Sequence, residues 1–185
     1  LEQSEELAGP ALLQVALAEE YEGSKVTLSK NAKALMSSFR KAAPIPLPGG
    51  LQASLRPYQQ RGMDWLYKNT KLGFGSILAD DMGLGKTLQV ITLILKLKEE
   101  GELAKNKALV VVPTTLLTNW QKEVQKFAPA LRVSVYHGPN RTLSQLGQTD
   151  ILLSTYGVVR SDNAQLIKKK WAVIVIDEAQ NIKNA

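Results

Sequence analysis

The 185-residue chain contains no cysteine and a single histidine, and aromatic residues make up only 6% of it. Without cysteine there are no disulfide bonds, and one histidine leaves no plausible set of ligands for a zinc ion. A cysteine-free chain also fits a reducing compartment. The histidine, His137, ends a predicted strand in the sequence Val-Tyr-His-Gly, and we interpret it as structural rather than catalytic.

Long hydrophobic runs are also missing from the chain. No segment approaches the roughly 20 apolar residues that a membrane-spanning helix needs, and residues 1–17 lack the basic start of a signal peptide. Hydrophobic residues at 44% and charged residues at 22% are ordinary for a globular protein, and this length can bury one substantial core. The chain opens at Leu1 rather than Met, so we expect a fragment or a processed piece.

Basic residues are absent from residues 1–22, which hold six acidic residues. The rest of the chain carries all 23 Lys and Arg against 11 Asp and Glu, and the whole chain has a formal net charge of +6. A basic body suits a polyanionic partner, most simply nucleic acid. A solvated basic surface without a partner is the alternative, and the charge alone does not separate the two.

Residues 79–87 read Ala-Asp-Asp-Met-Gly-Leu-Gly-Lys-Thr and predict a phosphate-binding loop. Gly83 and Gly85 let the backbone turn tightly, with its N–H groups pointing at an anion. Lys86 supplies a cation for the outer phosphates of a nucleoside triphosphate, and the Thr87 hydroxyl can ligate Mg²⁺. The pattern therefore predicts a nucleotide-binding protein, the alternative being a glycine-rich turn with an incidental Lys-Thr pair.

The flanks of this loop support the same interpretation. The apolar run 74–79 before it predicts a buried strand, and the run 88–95 after it predicts a helix whose N-terminus faces the phosphates. The general phosphate-loop pattern has glycine where this chain has Asp80, so only the Gly-Lys-Thr end is standard. A dinucleotide-binding fingerprint fails because Leu88 stands in place of its third glycine.

A second candidate site lies at residues 173–180, which read Val-Ile-Val-Ile-Asp-Glu-Ala-Gln. The unbroken apolar run 173–176 predicts a strand buried on both faces of a parallel sheet. Asp177 follows at its end, where open α/β sheets place their ligands. We expect Asp177 to hold the Mg²⁺ that Thr87 also touches, and Glu178 to orient and deprotonate the attacking water. Two solvated acids after a strand are the alternative.

The rest of the chain divides at a stretch rich in proline and glycine. Residues 11–20 and 30–40 predict short helices within an accessory segment 1–43, separated by a turn at 22–24. Residues 44–50 read Pro-Ile-Pro-Leu-Pro-Gly-Gly, which forbids a helix and predicts a stiff connector over 44–54. From residue 55 to 185 strands and helices alternate, which predicts an α/β fold, a parallel sheet with helices on both faces. The further predicted helices are 56–71 and 116–127, and the further strands 108–112, 133–136 and 150–154.

Over about residues 45–185 the chain resembles the Swi/Snf branch of the superfamily-two helicase-like ATPases. Leu55-Arg-Pro-Tyr-Gln59, with Gly62 and Trp65-Leu66, is similar to the adenine-side motif, and residues 78–87 are similar to motif I. Val110-Val-Val-Pro113 through Asn119-Trp120 is similar to motif Ia, and Ser154-Thr-Tyr-Gly157 to motif Ib. Residues 177–184 are similar to motif II in a form associated with bacterial members.

This resemblance implies a P-loop NTPase with the RecA-like fold, of which the chain holds only the first lobe. It implies ATP and Mg²⁺ as cofactors, duplex DNA and a second lobe of the full-length protein as partners, and an ATP hydrolase that moves along DNA. A cytoplasmic location follows for a bacterial protein, at the nucleoid, and a nuclear one for a eukaryotic protein. The residues that it places around ATP are Arg56, Gln59, Asp80, Met82, Gly83, Leu84, Gly85, Lys86, Thr87 and Leu88.

Motif III and the second lobe of such proteins would lie beyond Ala185. In related lobes the strand leading into motif III lies between those of motifs I and II. We therefore expect an unfilled slot between the strands 74–79 and 173–176, with unpaired backbone groups and exposed apolar side chains. We expect marginal stability of the isolated chain for this reason, and negligible ATPase activity because the arginines of the second lobe are missing from the ATP site.

Other roles follow from the motifs. Gln59 is expected to read the adenine edge, since an amide can both donate and accept there. Gln180 is similar to the motif II residue that links the γ-phosphate site to the rest of the motor. Thr114, Thr115, Ser154 and Thr155 follow strands and could touch DNA phosphates, or could equally be helix caps. Trp120 could stack on a base, but it shares a helix face with apolar residues and we expect it to pack in the core.

Two further interpretations remain open. An RNA-unwinding relative would share the chemistry, although Gln180 and the Leu55–Gln59 motif argue against it. A nucleotide-binding interaction module without turnover belongs to a different class of protein, and the intact Lys86, Asp177 and Glu178 oppose it for the full-length protein.

Overall fold

A computed structural model describes residues 20–21, 24–25, 44–79 and 83–182 of the chain. The chain divides into two compact units, one comprising Leu1–Ile45 with Asp64–Leu78 and the other Pro46–Met63 with Ala79–Ala185. In chain order the strands and helices are β1 Glu20–Tyr21, β2 Ser24–Lys25, α1 Pro57–Lys71, α2 Lys86–Glu99, β3 Lys107–Val112, α3 Leu117–Phe127, β4 Val133–Tyr136, β5 Ile151–Thr155, α4 Tyr156–Ser161, α5 Asn163–Leu166 and β6 Trp171–Ile176. Short 3₁₀ turns cover Thr114–Leu116, Leu146–Gln148 and Ala179–Asn181.

The described part of the first unit contains a small hairpin and the second part of α1. Strands β1 and β2 pair in antiparallel fashion, so Glu20 lies in a strand rather than at the end of the predicted helix 11–20. The remainder of that predicted helix and the whole of the helix 30–40 fall outside the described residues. The amide of Ile45 donates to the carboxylate of Asp64 at 3.1 Å, which fixes the end of the connector to α1.

The second unit is built on a parallel sheet with the strand order β4-β5-β3-β6. Strand β3, with the sequence Lys-Ala-Leu-Val-Val-Val, is buried along its whole length between β5 and β6. Its β-branched residues suit a strand that is covered on both faces. The carboxyl ends of the strands meet at one edge of the sheet, where motif Ia follows β3, motif Ib begins at the end of β5 and motif II follows β6.

Helices cover both faces of this sheet, as the alternation predicted. Leu109 and Val111 of β3 point to one face, where they pack with Val158 of α4 and Leu166 of α5. Successive strand residues point to opposite faces, so the buried Val110 lies on the other one. Helix α3 packs against β4 and β5, and α2 packs on α3.

Residues 74–79 do not form the predicted strand. They follow α1 without regular structure, and Ile77 is 84% exposed. An extended apolar run becomes a strand only when neighbouring strands take up its N–H and C=O groups. Neither sheet in the described part of the chain includes these residues. The prediction was wrong because it took an apolar run as sufficient for a strand.

Strand β6 forms at the predicted place but lies at the edge of the sheet. It pairs with β3 alone among the described strands, and Ile174 and Ile176 are 55% and 47% exposed. The prediction of burial on both faces was therefore wrong. Among the described strands the second side of β6 is unpaired, as expected, but the predicted slot between two strands is wrong because residues 74–79 form no strand.

The strands 108–112, 133–136 and 150–154 and the helices 56–71 and 116–127 are confirmed within two residues, and the helix predicted over 88–95 is α2, Lys86–Glu99, which starts two residues earlier and ends four residues later. Helix α1 starts at Pro57, whose ring suits the first helical position. The predicted helix 116–127 is the regular helix α3 preceded by a 3₁₀ turn. The connector is free of helix at its described positions, and the amides of Gly49 and Gly50 donate to the Glu99 carboxylate at 3.1 and 2.9 Å. No helix within the described ranges is long and apolar enough to cross a membrane.

Candidate nucleotide-binding site

The predicted phosphate loop leads directly into α2. Gly83 and Gly85 have φ angles of 83° and 72°, in the left-handed region that favours glycine. Gly85 is the N-cap of α2, and no side chain caps this helix end. Lys86, Thr87 and Leu88 follow in the first helical turn and are half-buried. The loop therefore ends at a helix N-terminus, where backbone N–H groups and the helix dipole favour an anion. Asp80 and Met82, also predicted to contact ATP, lie outside the described residues.

Gln59 connects the adenine-side motif to this loop. Its Nε2 donates to the carbonyl of Leu84 at 3.1 Å, and its Oε1 accepts from the amide of Arg56 at 2.9 Å. The second bond has the form of a capping box at the start of α1. The Tyr58 hydroxyl also donates to the Leu84 carbonyl, at 3.2 Å. A Cβ atom at Gly85 would lie 2.5 Å from Nε2 of Gln59, so a side chain there would displace the Gln59 amide as well as strain the backbone.

Gln59 is buried, whereas the side chain of Arg56 is exposed. The amide of Gln59 keeps one N–H and one lone pair beyond the two bonds above. Reading an adenine edge with these remains a prediction. The structure adds that the same residue holds the phosphate loop in place.

The acidic pair lies at the carboxyl end of β6. The amide of Asp177 continues the sheet by donating to the Val111 carbonyl at 2.9 Å. Its Oδ2 accepts from the indole Nε1 of Trp120 at 2.8 Å, and its Oδ1 accepts from the amide of Glu178 at 3.0 Å. The hydroxyl of Tyr156 donates to the Asp177 carbonyl oxygen. Donors from two separate helices, together with the amide of the next residue, therefore fix both the side chain and the main chain of Asp177.

Glu178 has left-handed backbone angles, φ 53° and ψ 48°. It is the one residue other than glycine with positive φ in the described part of the chain. Such a conformation costs about 1 kcal/mol or more and is found often at functional sites. The amide of Gln180 donates to the Glu178 carboxylate, so these two predicted catalytic residues are in contact.

Trp120 and Tyr156 are functional candidates that the sequence analysis did not assign. Trp120 packs in the core as predicted, with only 2% of its surface exposed, which leaves no face for a nucleic-acid base. Burial raises the pKa of Tyr156, and the negative charges of Asp177 and Glu178 raise that pKa further, so its hydroxyl stays a donor. Only a general rule could have predicted hydrogen bonds from these two residues: a buried tryptophan N–H or tyrosine O–H needs a polar partner.

A cleft of about 430 Å³ opens beside the phosphate loop, between the start of α2 and one side of α3. Its walls are Gly85, Leu88, Asn119, Lys122, Glu123, Lys126 and Phe127. Two cationic side chains, Lys122 and Lys126, thus line the same cleft as Gly85 of the phosphate loop. Sequence reasoning missed them because only the apolar face of α3 was interpreted.

The described residues contain no group of three or more His, Asp or Glu side chains that could hold a metal ion. Mg²⁺ does not require such a group, since it commonly binds one or two carboxylates, retains several waters and takes further oxygen ligands from substrate phosphates. Each carboxylate oxygen of Asp177 accepts one hydrogen bond and has a second lone pair available. The Asp177 carboxylate and the Thr87 hydroxyl thus have the oxygen chemistry that suits Mg²⁺, and their joint binding of the ion remains a prediction.

The four predicted nucleic-acid contacts divide into two pairs. Thr114 and Thr115 are exposed in the 3₁₀ turn after β3. Ser154 is fully buried and donates its hydroxyl to the Tyr136 carbonyl at 2.9 Å. Thr155 is also buried, with its hydroxyl 3.4 Å from Nδ1 of His137. Of these four residues, only the first pair presents hydroxyl groups on the surface.

Comparison with known proteins gives one consistent result. The family model of the SNF2-related domain matches residues 58–185. The "Putative ATP-dependent helicase/translocase YwqA" of Bacillus subtilis is 40% identical over 173 residues, which cover 89% of this chain and 19% of that protein.

Two solved structures share the fold of this chain. The Sulfolobus solfataricus SWI2/SNF2 ATPase core in complex with dsDNA has 45% sequence identity and a TM-score of 0.69, over 77% of this chain and 29% of that one. The same organism's SWI2/SNF2 ATPase core domain has 46% identity and a TM-score of 0.70, over 79% of this chain and 30% of that one. The chain thus spans less than a third of each of these proteins, and it belongs to the family of SNF2-related domains.

Proposed function

We propose that the chain is the nucleotide-binding first lobe of a motor that hydrolyses ATP to move along duplex DNA. One observation carries this proposal: a phosphate loop at a helix N-terminus and an Asp-Glu pair at the end of a parallel strand lie within one compact unit. Trp120 links the helix that follows the phosphate loop to the Asp-Glu pair, since it lies on the helix packed against α2 and donates a hydrogen bond to Asp177. The names of relatives, a helicase/translocase and an ATPase core bound to dsDNA, support the same function.

ATP binding would rest on three features. The first N–H groups of α2, which lack partners within the helix, would bind the phosphates together with Lys86. Lys122 and Lys126, across the adjoining cleft, would add positive charge for a highly charged ligand. Gln59 would present its remaining N–H and lone pair to adenine while it holds the Leu84 carbonyl.

Asp177 and Thr87 would hold Mg²⁺, which when bound with ATP offsets the negative charge that develops on the phosphates. Glu178 would accept a proton from the water that attacks the γ-phosphate. Gln180 would keep the Glu178 carboxylate oriented through the hydrogen bond between them. Lys86 would stabilise the charge of the transition state.

Duplex DNA would contact the carboxyl edge of the sheet through exposed hydroxyls such as those of Thr114 and Thr115. The excess of basic residues over acidic ones supports a polyanionic partner. A second lobe of the full-length protein would complete the ATP site, as the small share of the relatives that this chain covers suggests.

The test is the ATPase rate of the full-length protein with duplex DNA, single-stranded DNA, RNA or no nucleic acid. We expect duplex DNA to stimulate the rate more than RNA of equal length. Stimulation by RNA alone would favour the RNA-unwinding alternative. ATP binding without turnover under every condition would instead favour a nucleotide-binding interaction module.

A further inference from the structure

Two aromatic side chains converge on Asp177 from different elements. Trp120 of α3 donates its indole N–H to the Asp177 carboxylate at 2.8 Å, and Tyr156 of α4 donates its hydroxyl to the Asp177 main-chain carbonyl. Trp120 is almost completely buried and Tyr156 partly so. Hydrogen bonds in such surroundings are shielded from competing water and restrict the groups that they join.

The two bonds act on different parts of the site. The indole of Trp120 restricts the carboxylate that would serve as the Mg²⁺ ligand. Tyr156 restricts the peptide that joins Asp177 to Glu178, where the backbone turns into its left-handed conformation. A strained backbone persists only when its surroundings hold it, and a bond to the preceding carbonyl supplies such a restraint.

The chain offers a comparison for each of these bonds. Trp171 also donates its indole N–H, but to the main-chain carbonyl of Leu166 at 3.1 Å. Tyr136 also donates its hydroxyl to an aspartate, Asp162, at 2.7 Å, and that aspartate is held by Arg141 rather than placed at the end of β6. Among the described aromatic residues, only Trp120 and Tyr156 donate a hydrogen bond to Asp177.

We propose that Trp120 and Tyr156 are positioning residues of the ATP site, Trp120 for the metal-binding carboxylate of Asp177 and Tyr156 for the Asp177–Glu178 peptide. This inference rests on the proposed function, because it assigns the two residues to the binding and hydrolysis of ATP with Mg²⁺. Outer partners of metal ligands commonly change metal affinity or activity about 10–100-fold when removed.

The test of Trp120 uses the full-length protein with the substitution Trp120→Phe, which keeps an aromatic ring and removes the N–H. Binding of a fluorescent non-hydrolysable ATP analogue is measured while Mg²⁺ is titrated, and again in EDTA. We expect the Mg²⁺ concentration at half-saturation to rise about tenfold, with little change of affinity in EDTA. Trp171→Phe is the matched control and should leave both quantities near those of the native protein.

The test of Tyr156 uses Tyr156→Phe, which deletes one hydroxyl and leaves the ring in place; it is independent of any effect of Trp120→Phe on the core. We expect kcat to fall about tenfold, with KM for ATP and the Mg²⁺ requirement nearly unchanged. Tyr136→Phe, the matched control, should keep the native kcat.

Different outcomes separate this inference from the proposed function. A native protein that binds the analogue without any dependence on Mg²⁺ overturns the proposed function and the inference with it. If the native protein depends on Mg²⁺ but Trp120→Phe shifts the titration no more than Trp171→Phe does, the role of Trp120 is wrong. An equal loss of affinity for the analogue in Mg²⁺ and in EDTA overturns the role of Trp120 as well, because it indicates a packing defect. A native kcat in Tyr156→Phe overturns the role of Tyr156.

Discussion

At the carboxyl end of β6, Glu178 has a strained backbone conformation and neighbouring side chains restrain it. Glu178 adopts left-handed backbone angles that glycine would adopt at lower cost, yet a carboxylate at this position is what the proposed hydrolysis requires. The Gln180 amide contacts that carboxylate, and the Tyr156 hydroxyl restrains the preceding carbonyl. A residue held in an unfavourable conformation by two neighbours is more consistent with a catalytic role than with a solvated acid after a strand.

The substitution Glu178→Gln tests this role in the full-length protein. It keeps the shape of the side chain and its contact with Gln180 while removing the base, so we expect ATP to bind while turnover falls by about 10²-fold or more. Lys86→Ala should instead weaken ATP binding itself, since the charge aimed at the phosphates is lost. Nucleotide binding and phosphate release are measured on both variants. A Glu178→Gln protein that hydrolyses ATP at nearly the native rate would refute the assignment.

Asp150 shows a structural role for a carboxylate away from the site. Its buried side chain accepts hydrogen bonds from the Arg132 guanidinium at 3.0 and 3.1 Å and from Lys98 at 2.7 Å. Burial raises the pKa of Asp150, but the bonds from Arg132 and Lys98 outweigh it and lower that pKa from 3.8 to about 2. Because the folded protein binds this proton less readily than the unfolded one, the contribution to stability is complete above about pH 3.8 and is lost as the pH falls towards 2.

We expect Asp150→Asn to lower the free energy of unfolding by about 1–2 kcal/mol at neutral pH, a moderate loss because both cationic partners are partly exposed. The difference from the native protein should shrink between pH 3.8 and 2. Urea unfolding at several pH values measures it. Glu123→Gln, which alters a carboxylate bonded to Asn119, should change stability by less than about 0.5 kcal/mol. A difference that stays constant down to pH 2 would contradict the linkage.

At the scale of elements, local patterns predicted most helices and strands of the described chain. Helix α1 follows from Pro57 at its first position, and strand β3 from a run of β-branched residues between two turns. The segment 74–79 could not be predicted in the same way, because pairing depends on neighbouring strands that its own residues do not specify. The exposure of Ile174 has the same cause. The apolar sequence of β6 is typical of a buried strand, but the strand lies at a sheet edge.

The candidate site likewise has features that the sequence could locate and others that it could not. The phosphate loop and Asp177 are contiguous motifs, so sequence alone could locate them. The bond from Trp120 to Asp177 joins residues 57 positions apart, and nothing in the pattern of α3 indicated that its apolar face also carries a donor for the site. Buried donors of this kind are specified by packing, which a single sequence does not reveal.

Close approach of α1 and α2 in the second unit leads to a prediction at Gly62. A Cβ atom there would lie 1.9 Å from Oε1 of Gln89, a fully buried amide whose polar atoms have no hydrogen-bond partner within the described residues. We expect Gly62→Ala to destabilise the protein by about 1–3 kcal/mol through overpacking. Gly49→Ala is the control, since nothing lies within 4 Å of its Cβ position. Thermal or urea unfolding measures the stability of both variants.

The cause can be isolated by combining Gly62→Ala with Gln89→Ala, which removes the side chain that the new methyl group meets. In that background the cost of Gly62→Ala should largely disappear, a coupling that a double-mutant cycle detects. An unchanged cost would show that backbone effects in α1, rather than contact with Gln89, account for the loss.

At the scale of the whole molecule, charge separates the first 22 residues from the rest. All 23 basic residues follow that acidic stretch, where they outnumber the 11 acidic ones by about two to one. Such an excess extends an attractive field for polyanions well beyond any single contact, and it raises the rate of encounter with them. The proposed DNA interface would depend on this field as well as on hydroxyls such as that of Thr114.

The field has a measurable consequence for the full-length protein. Binding to duplex DNA releases counterions, and the logarithm of the affinity falls by about 0.9 for each neutralised phosphate per tenfold rise in salt. Even two neutralised phosphates therefore imply a loss of about tenfold between 50 and 200 mM salt, and a longer interface implies far more. Titration of a labelled duplex at several salt concentrations measures the slope, with a non-hydrolysable ATP analogue as the control ligand, because so short a ligand lacks the condensed counterions of duplex DNA. An affinity for duplex that does not change with salt would contradict a DNA surface built on this charge.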